Sequence, residues 1–302
     1  MKTKWKIVYF VMILLFFVCL GSLYISKHFL TVTHYEVSAK NLHNALRIVQ
    51  VTDLHNSQFG EHNEKLIEMT AEQEPDLIVL TGDLVNSDEQ DISIAQELVC
   101  ALSKIAPVYA SYGNHELQHE EKFGSDLAAA FEEAGATSLE FAYEDIEVNG
   151  EKIRIGGLYG YCVPSYYNDV AREHETAFLE EFISTDAYKL LLTHMPYCWI
   201  ANDGISAWDV DCVFTGHDHG GLIRIPFLGG LYAPDQGWFP GKDCGLYYSK
   251  DGEKVMVLSR GLGKSGRVPR FNNVPEIVVV DLLMLGLGLL VSLMMARLGE
   301  NA

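Results

Sequence analysis

Apolar positions along this chain fall into runs of two lengths. The longest, from Ile7 to Ile25, holds 19 residues without a charge, about 28 Å as a helix against a hydrocarbon core of ~30 Å. Further on, short β-branched and aliphatic runs end in Gly, Asn, Asp or His and predict strands over 46–52, 76–81, 107–112, 189–193 and 210–215. Between them, 64–74, 92–105 and 125–134 carry helical spacing, and Ile277 to Val280 completes a sheet. The alternation predicts an α/β domain with helices outside two packed mixed sheets. The charged stretch 116–122 reads as a solvated turn or helix start, without assigned chemistry.

The ends of the chain point to a membrane. Lys2, Lys4 and Lys6 precede the first apolar run, and Lys27 with His28 follows it, a bias that places the N-terminus in the cytoplasm and the main domain outside. The run exceeds a usual signal-peptide core of about 7–15 residues and lacks a small-x-small cleavage site, which favours an uncleaved anchor. At the other end, Leu282 to Ala296 is uncharged but only about 22 Å long as a helix. The expected organisation is therefore an anchor and linker over 1–36, a domain over 37–281, and an apolar tail over 282–302 that is a candidate second membrane segment.

Charge narrows the partners. With 41 acidic and 22 basic residues, the net charge of −19 excludes a large nucleic-acid footprint and leaves membrane association to the apolar ends. Apart from Cys19 in the anchor, Cys100, Cys162, Cys198, Cys212 and Cys244 form an odd, widely spaced set unlike a disulfide framework. Cys100 and Cys212 lie in apolar runs and are expected to be buried.

Five short blocks then change the picture: Asp53-Leu54-His55, Gly82-Asp83-Leu84, Gly113-Asn114-His115-Glu116, Thr193-His194 and Gly216-His217-Asp218-His219. Each stands where a predicted strand stops, the place where α/β proteins collect functional groups. Together they offer enough oxygen and imidazole ligands for two divalent ions. Residues two apart on an extended segment share a side, so Asp53 and His55 could share one ion. His217 and His219 could do the same, or a loop could aim them at two neighbouring ions.

These blocks, in this order, resemble the calcineurin-like metallophosphoesterases over roughly 46–282. Ser259-Arg260-Gly261-Leu262-Gly263 and Asn272-Asn273-Val274-Pro275-Glu276-Ile277 resemble the membrane-associated bacterial branch of that family. The resemblance implies a four-layer sandwich of two mixed β-sheets flanked by helices. It further implies that Asp53, His55, Asp83 and His219 hold one metal, that Asp83 bridges, and that Asn114, His194 and His217 complete the second. His115 would stand beside the pair without ligating it, as the catalytic residue that protonates the leaving alkoxide or donates a hydrogen bond to the transition state. Two divalent ions against two carboxylates leave the site cationic, suited to a phosphate oxyanion, with the ions about 3.5–4 Å apart. Mixed nitrogen and oxygen ligation without thiolate suits Mn, Fe, Zn or Co, and the resemblance favours Mn or Fe, with Zn as the alternative. Glu116 and Asp218 are expected to orient ligand imidazoles. The remaining histidines, His28, His34, His43, His62, His119 and His174, are expected at ordinary surface or loop positions.

The function implied is hydrolysis of a phosphodiester or pyrophosphate, with a lipid-linked or envelope precursor as the expected substrate class, at the cell membrane with the catalytic domain extracytoplasmic. A broad phosphomonoesterase or nucleotidase and a membrane-tethered non-catalytic binding module are the alternatives. Substrate choice is assigned to two aromatic, Gly- and Pro-rich stretches, Tyr159 to Asp169 and Ala233 to Lys242. Relatives often carry an acidic Gly-x-Asp-Asp-like element near the first loop; its absence here weighs against a nucleotide-sugar substrate.

Overall fold

Strands that are apolar at every position must bury both faces, and alternation then divides each strand between two cores. The computed structural model describes residues 2–160, 173–264, 266 and 268–284 and shows this division in both of its large sheets. The strands are β1 (Thr31–Ala39), β2 (Leu46–Val51), β3 (Leu77–Thr81), β4 (Val108–Ser111), β5 (Ala136–Ser138), β6 (Ala142–Val148), β7 (Glu151–Leu158), β8 (Tyr188–Thr193), β9 (Cys212–Thr215), β10 (Gly245–Tyr248), β11 (Val255–Leu258) and β12 (Glu276–Met284). One sheet has the order β1-β12-β2-β3-β4-β5, the other β10-β11-β9-β8-β7-β6. Both are mixed: β12 runs antiparallel to β2, and β6 and β10 antiparallel to their neighbours, while the central strands are parallel.

Ile48, Leu77, Val79, Leu190, Leu192, Val257 and Val278 face the core between the sheets. Their alternates Val49, Ile78, Leu80 and Val279 pack outward against helices α2 (Glu64–Ala71), α3 (Ser93–Leu102) and α5 (Leu127–Glu133). On the second sheet, Leu191, Val213 and Met256 pack outward with Phe178 and Phe182 of α6 (Glu173–Phe182). The result is the four-layer α/β sandwich that the sequence led us to expect. One polar side chain crosses the inner core: Gln50 donates to Thr81 Oγ1 (2.8 Å) and, across the sheets, to the Thr215 carbonyl (2.8 Å). This joins the two sheets at the level where β2, β3 and β9 end, and the two bonds from one buried NH₂ fix their relative height.

The structure corrects several expectations. Residues 31–36, assigned to a linker, belong to β1, which pairs in parallel with β12 from Thr31↔Glu276 to Ala39↔Met284. Half-exposed edge strands carry weaker apolar alternation, so this one was hidden in the sequence. Leu282 to Met284 are likewise sheet, not tail, because β12 continues beside Val37 to Ala39 of β1; the rest of the tail, 285–302, lies outside the described residues. The stretch 116–122 lies within helix α4 (Asn114–Phe123), and its Glu116 and His119 are buried. Cys100 is exposed on α3, whereas Cys212 is buried as expected.

The N-terminal helix α1 (Lys2–His28) includes a stretch from Lys4 to His28 long and apolar enough to cross a membrane. Its last two turns pack on the domain. There Ser22 Oγ accepts from the Asn272 amide (2.8 Å) and Ser26 Oγ from the Asn273 amide (3.1 Å).

Candidate metal centre

Because β2, β3, β4, β8 and β9 are parallel within their sheets, their C-terminal ends open on one edge. The five blocks meet there. Asp53 and Gly82 are joined through backbone (Asp53 N to Gly82 O, 3.0 Å), as are Gly216 N and His194 O (3.1 Å). The loops after β3 and β4 touch so closely that a Cβ at Gly113 would lie 2.2 Å from Asp83 Oδ1, and one at Gly82 2.4 Å from Gly113 N. Glycine is therefore required for contact at these two positions. We expect Gly113→Ala to push Asp83 out of place: a thermal midpoint lower by roughly 3–10 °C, together with loss of the added stability that divalent ions give the parent protein in a melting assay. Unchanged melting and unchanged ion response would show that the loops have room to part.

Asp53, His55 and His219 form one cluster of ligand atoms, and Asp83, His194 and His217 a second; each lies within 4.8 Å, and all six residues are buried or nearly so. A third grouping, His55, Asp83 and His115, connects them. Within the first, His55 Nε2 faces His219 Nε2 at 3.3 Å, and His219 Nε2 lies 3.5 Å from Asp53 Oδ1. Within the second, His194 Nε2 faces His217 Nδ1 at 3.2 Å and Asp83 Oδ2 at 3.1 Å. Asp83 Oδ2 is also 3.5 Å from His55 Nε2, so one carboxylate oxygen faces both clusters.

Alternation along a strand does not produce this arrangement. Asp53, His55, Asp83, His217 and His219 all have positive φ, between 46° and 71°. His217 and His219 accordingly part, one to each cluster. Five such residues at one site are costly backbone, held because the surrounding loops over-determine them.

Several neighbours hold these groups. The Thr81 carbonyl accepts from His194 Nδ1 (2.8 Å), which fixes the ring with Nε2 turned toward Asp83. Asn273 Nδ2 donates to the His219 carbonyl (2.7 Å), and Arg270 Nη2 lies 3.3 Å from His219 Nδ1. Glu116 does not orient an imidazole as expected. Its two oxygens accept the amides of Asp83 (2.7 Å), Leu84 (2.7 Å) and Gly113 (2.8 Å), clamping the β3 and β4 loops together. Asp218 likewise serves no imidazole: it accepts from Gln236 Nε2 (2.7 Å). Its neighbour Asp235, which the sequence did not single out, stands 3.5 Å from His217 Nε2. Arg270 was missed too; nothing in its local sequence distinguishes it, and only the return of the loop before β12 brings it to His219.

Electrostatics mark the same residues. Burial lowers the His55 imidazole to about 3 and pulls His219 well below the usual range. Burial also opposes charge on His194, but the Asp83 carboxylate overrides it and pushes that imidazole up to about 10. Burial would raise Asp83, yet His194 and His55 hold it well below the usual carboxylate range. Burial raises Asp53. Burial and the Asp83 charge push Glu116 up to about 7, against the pull of the amides it accepts.

The donor set fits cations. Imidazole nitrogens and carboxylate oxygens converge at 3.1–3.5 Å, near the spacing of about 3 Å expected between adjacent ligands each ~2.1 Å from one ion. The buried Asn114 Oδ1, beside His115, has no protein partner, as a carbonyl reserved for an ion would. His115 Nδ1 accepts the Ser87 amide (3.0 Å), so the neutral imidazole carries its proton on Nε2. Of the two stretches given to substrate choice, Tyr161 to Asp169 lies outside the described residues. The other reaches the site through Asp235 and Gln236 and exposes Trp238 and Phe239.

Comparisons with known proteins agree with this geometry. The chain matches the calcineurin-like phosphoesterase family over residues 46–221. It is 30% identical over 237 residues to the uncharacterized metallophosphoesterase YkoQ of Bacillus subtilis, covering 77% of this chain and 82% of that protein. It is 26% identical over 246 residues to the phosphodiesterase YaeI of Escherichia coli (78% and 82% covered). Similarity extends at 22% identity over 300 residues to the UDP-2,3-diacylglucosamine pyrophosphatase LpxG of Chlamydia muridarum (78% and 83% covered).

Proposed function

This chain belongs to the calcineurin-like phosphoesterase family and is a phosphoric ester hydrolase, and we propose that it is a membrane-anchored, two-metal phosphodiesterase or pyrophosphatase. The observation that carries this reading is the position of Asp83, whose Oδ2 faces His55 and His194 in two separate clusters. One ion would be held by Asp53, His55, Asp83 and His219, the other by Asp83, Asn114, His194 and His217. Nitrogen and oxygen ligation without thiolate suits Mn, Fe, Zn or Co, and the family resemblance favours Mn or Fe among them, with Zn as the alternative. When bound, the pair would supply an activated water and polarise the phosphoryl oxygens.

The protein's own groups do the rest. His115, with its Nδ1 occupied by the Ser87 amide, presents Nε2–H beside His55 and Asp83 and donates it as a hydrogen bond to the leaving oxygen, stabilising the negative charge that builds there. Glu116 fixes the Asp83 and Gly113 loops, and Arg270 with Asn273 fixes His219. The lysines flanking α1 support a single-pass anchor with the domain outside the cytoplasm. The anchor and the pyrophosphatase relative support a lipid-linked or envelope-precursor phosphate as substrate.

The test uses the full-length protein in detergent, stripped of metal and titrated with Mn²⁺, on bis(p-nitrophenyl) phosphate and p-nitrophenyl phosphate. We expect Mn-dependent release of p-nitrophenol, with the diester preferred by about tenfold or more. A monoester preference would make the protein a phosphomonoesterase. Bound metal without cleavage of either would reduce it to a binding module.

A further inference from the structure

A cavity of about 440 Å³ lies between the last turns of α1 and the loop that carries Arg270. Its walls are apolar where Leu23, Phe59, Leu262, Pro269 and Pro275 line it. Its charged lining is of one sign: Lys27, Lys264 and Arg270, with no acid among the described lining residues, in a chain of net charge −19. Arg270 is buried and holds Gly263 O (2.7 Å) and Arg260 O (2.7 Å), yet its Nη1 has no partner. Among the described residues, no carboxylate lies within ion-pair distance of it. The Asp53 and Glu276 carboxylates act on it only from beyond contact, and a buried cation with an open donor under an apolar cleft calls for an anion that brings its own apolar part.

The cleft's place in the molecule says what that anion is. Ser22 and Ser26 fasten α1 to Asn272 and Asn273 at the end of the apolar run, so the cavity lies where the helix leaves the bilayer. We propose that it binds one anionic phospholipid from that leaflet. Its acyl chain would lie along Leu23, Phe59 and Leu262, and its phosphate among Lys27, Lys264 and Arg270. Through the Arg270 contact to His219, the lipid would seat the metal centre against the membrane. The inference rests on α1 as a membrane-spanning helix and is independent of which ester is cleaved.

To test it, the full-length protein is placed in nanodiscs of phosphatidylcholine, alone or mixed equally with phosphatidylglycerol, and the lipid retained on release is counted by native mass spectrometry. We expect one phosphatidylglycerol per chain. Retention should fall about thirtyfold in K27Q/K264Q, as the loss of two surface lysines predicts, and return in K27R/K264R. Equal retention of the two lipids, or no change in K27Q/K264Q, would overturn the proposal. Displacement of the lipid by millimolar inorganic phosphate would also overturn it, leaving only an anion site. Failure to enter discs would remove the anchor and the proposal together. Cleavage of bis(p-nitrophenyl) phosphate by the same samples reports the metal centre separately.

Discussion

Asp83→Asn is expected to lower Mn-dependent diester cleavage by about 10³-fold or more and to reduce bound metal from two ions per chain to one or none. The carboxylate is buried between both clusters, with Oδ2 3.1 Å from His194 and 3.5 Å from His55. An amide of the same shape keeps the acceptor for the His115 amide, which Oδ1 holds at 2.9 Å, so the loop should survive. It cannot supply a negative charge to two cations, and its NH₂ would face imidazole lone pairs. Metal content by mass spectrometry and p-nitrophenol release measure the two effects. Full activity with two ions retained would end the two-metal reading, whereas lost activity in an unfolded protein would be evident from its melting curve.

His115→Ala should act differently. Turnover is expected to fall about 10²- to 10³-fold, with metal content and KM near the parent values, because a positioned hydrogen-bond donor to the leaving oxygen contributes to the transition state rather than to binding. The Ser87 amide on Nδ1 makes the side chain a donor at Nε2. The edge-on contact with His55, 4.6 Å between ring centres, places it beside the first cluster. The defect should shrink for an ester whose leaving group is acidic enough to depart unprotonated. A full panel of leaving groups, poor to good, would therefore give a steeper dependence in the variant. Parallel slopes would rule out hydrogen bonding to the leaving oxygen, and loss of one metal would move His115 among the ligands.

Much of this centre was legible in the linear chain because its chemistry is concentrated at strand ends. A run such as Leu77 to Thr81 is apolar throughout, so it must be an inner strand. Whatever follows it, here Gly82-Asp83, must emerge at the rim of a rigid sheet. Other features were not legible. Glu116 sits in a charged segment that looks solvated, and it is buried only because the β3 and β4 loops close over it and offer it three amides. His119 looks like a surface residue of the same helix and is buried beside Ser125. Thr31 to Glu36 look like a linker because an edge strand needs a partner more than a pattern, and that partner, β12, lies some 240 residues away.

The sequence by itself determined the kinds of atom at the centre, the strands that would carry them and the apolar run that precedes the domain, since each depends on local composition and period. Only the tertiary structure decided which histidine joins which cluster, because positive φ at His217 and His219 overrides strand alternation. It alone decided that Asp83 faces both, that Arg270 backs His219, and that the end of α1 walls a basic cleft. Those relations join residues far apart in the chain, and distance along a chain carries no information about them until the sheets have packed.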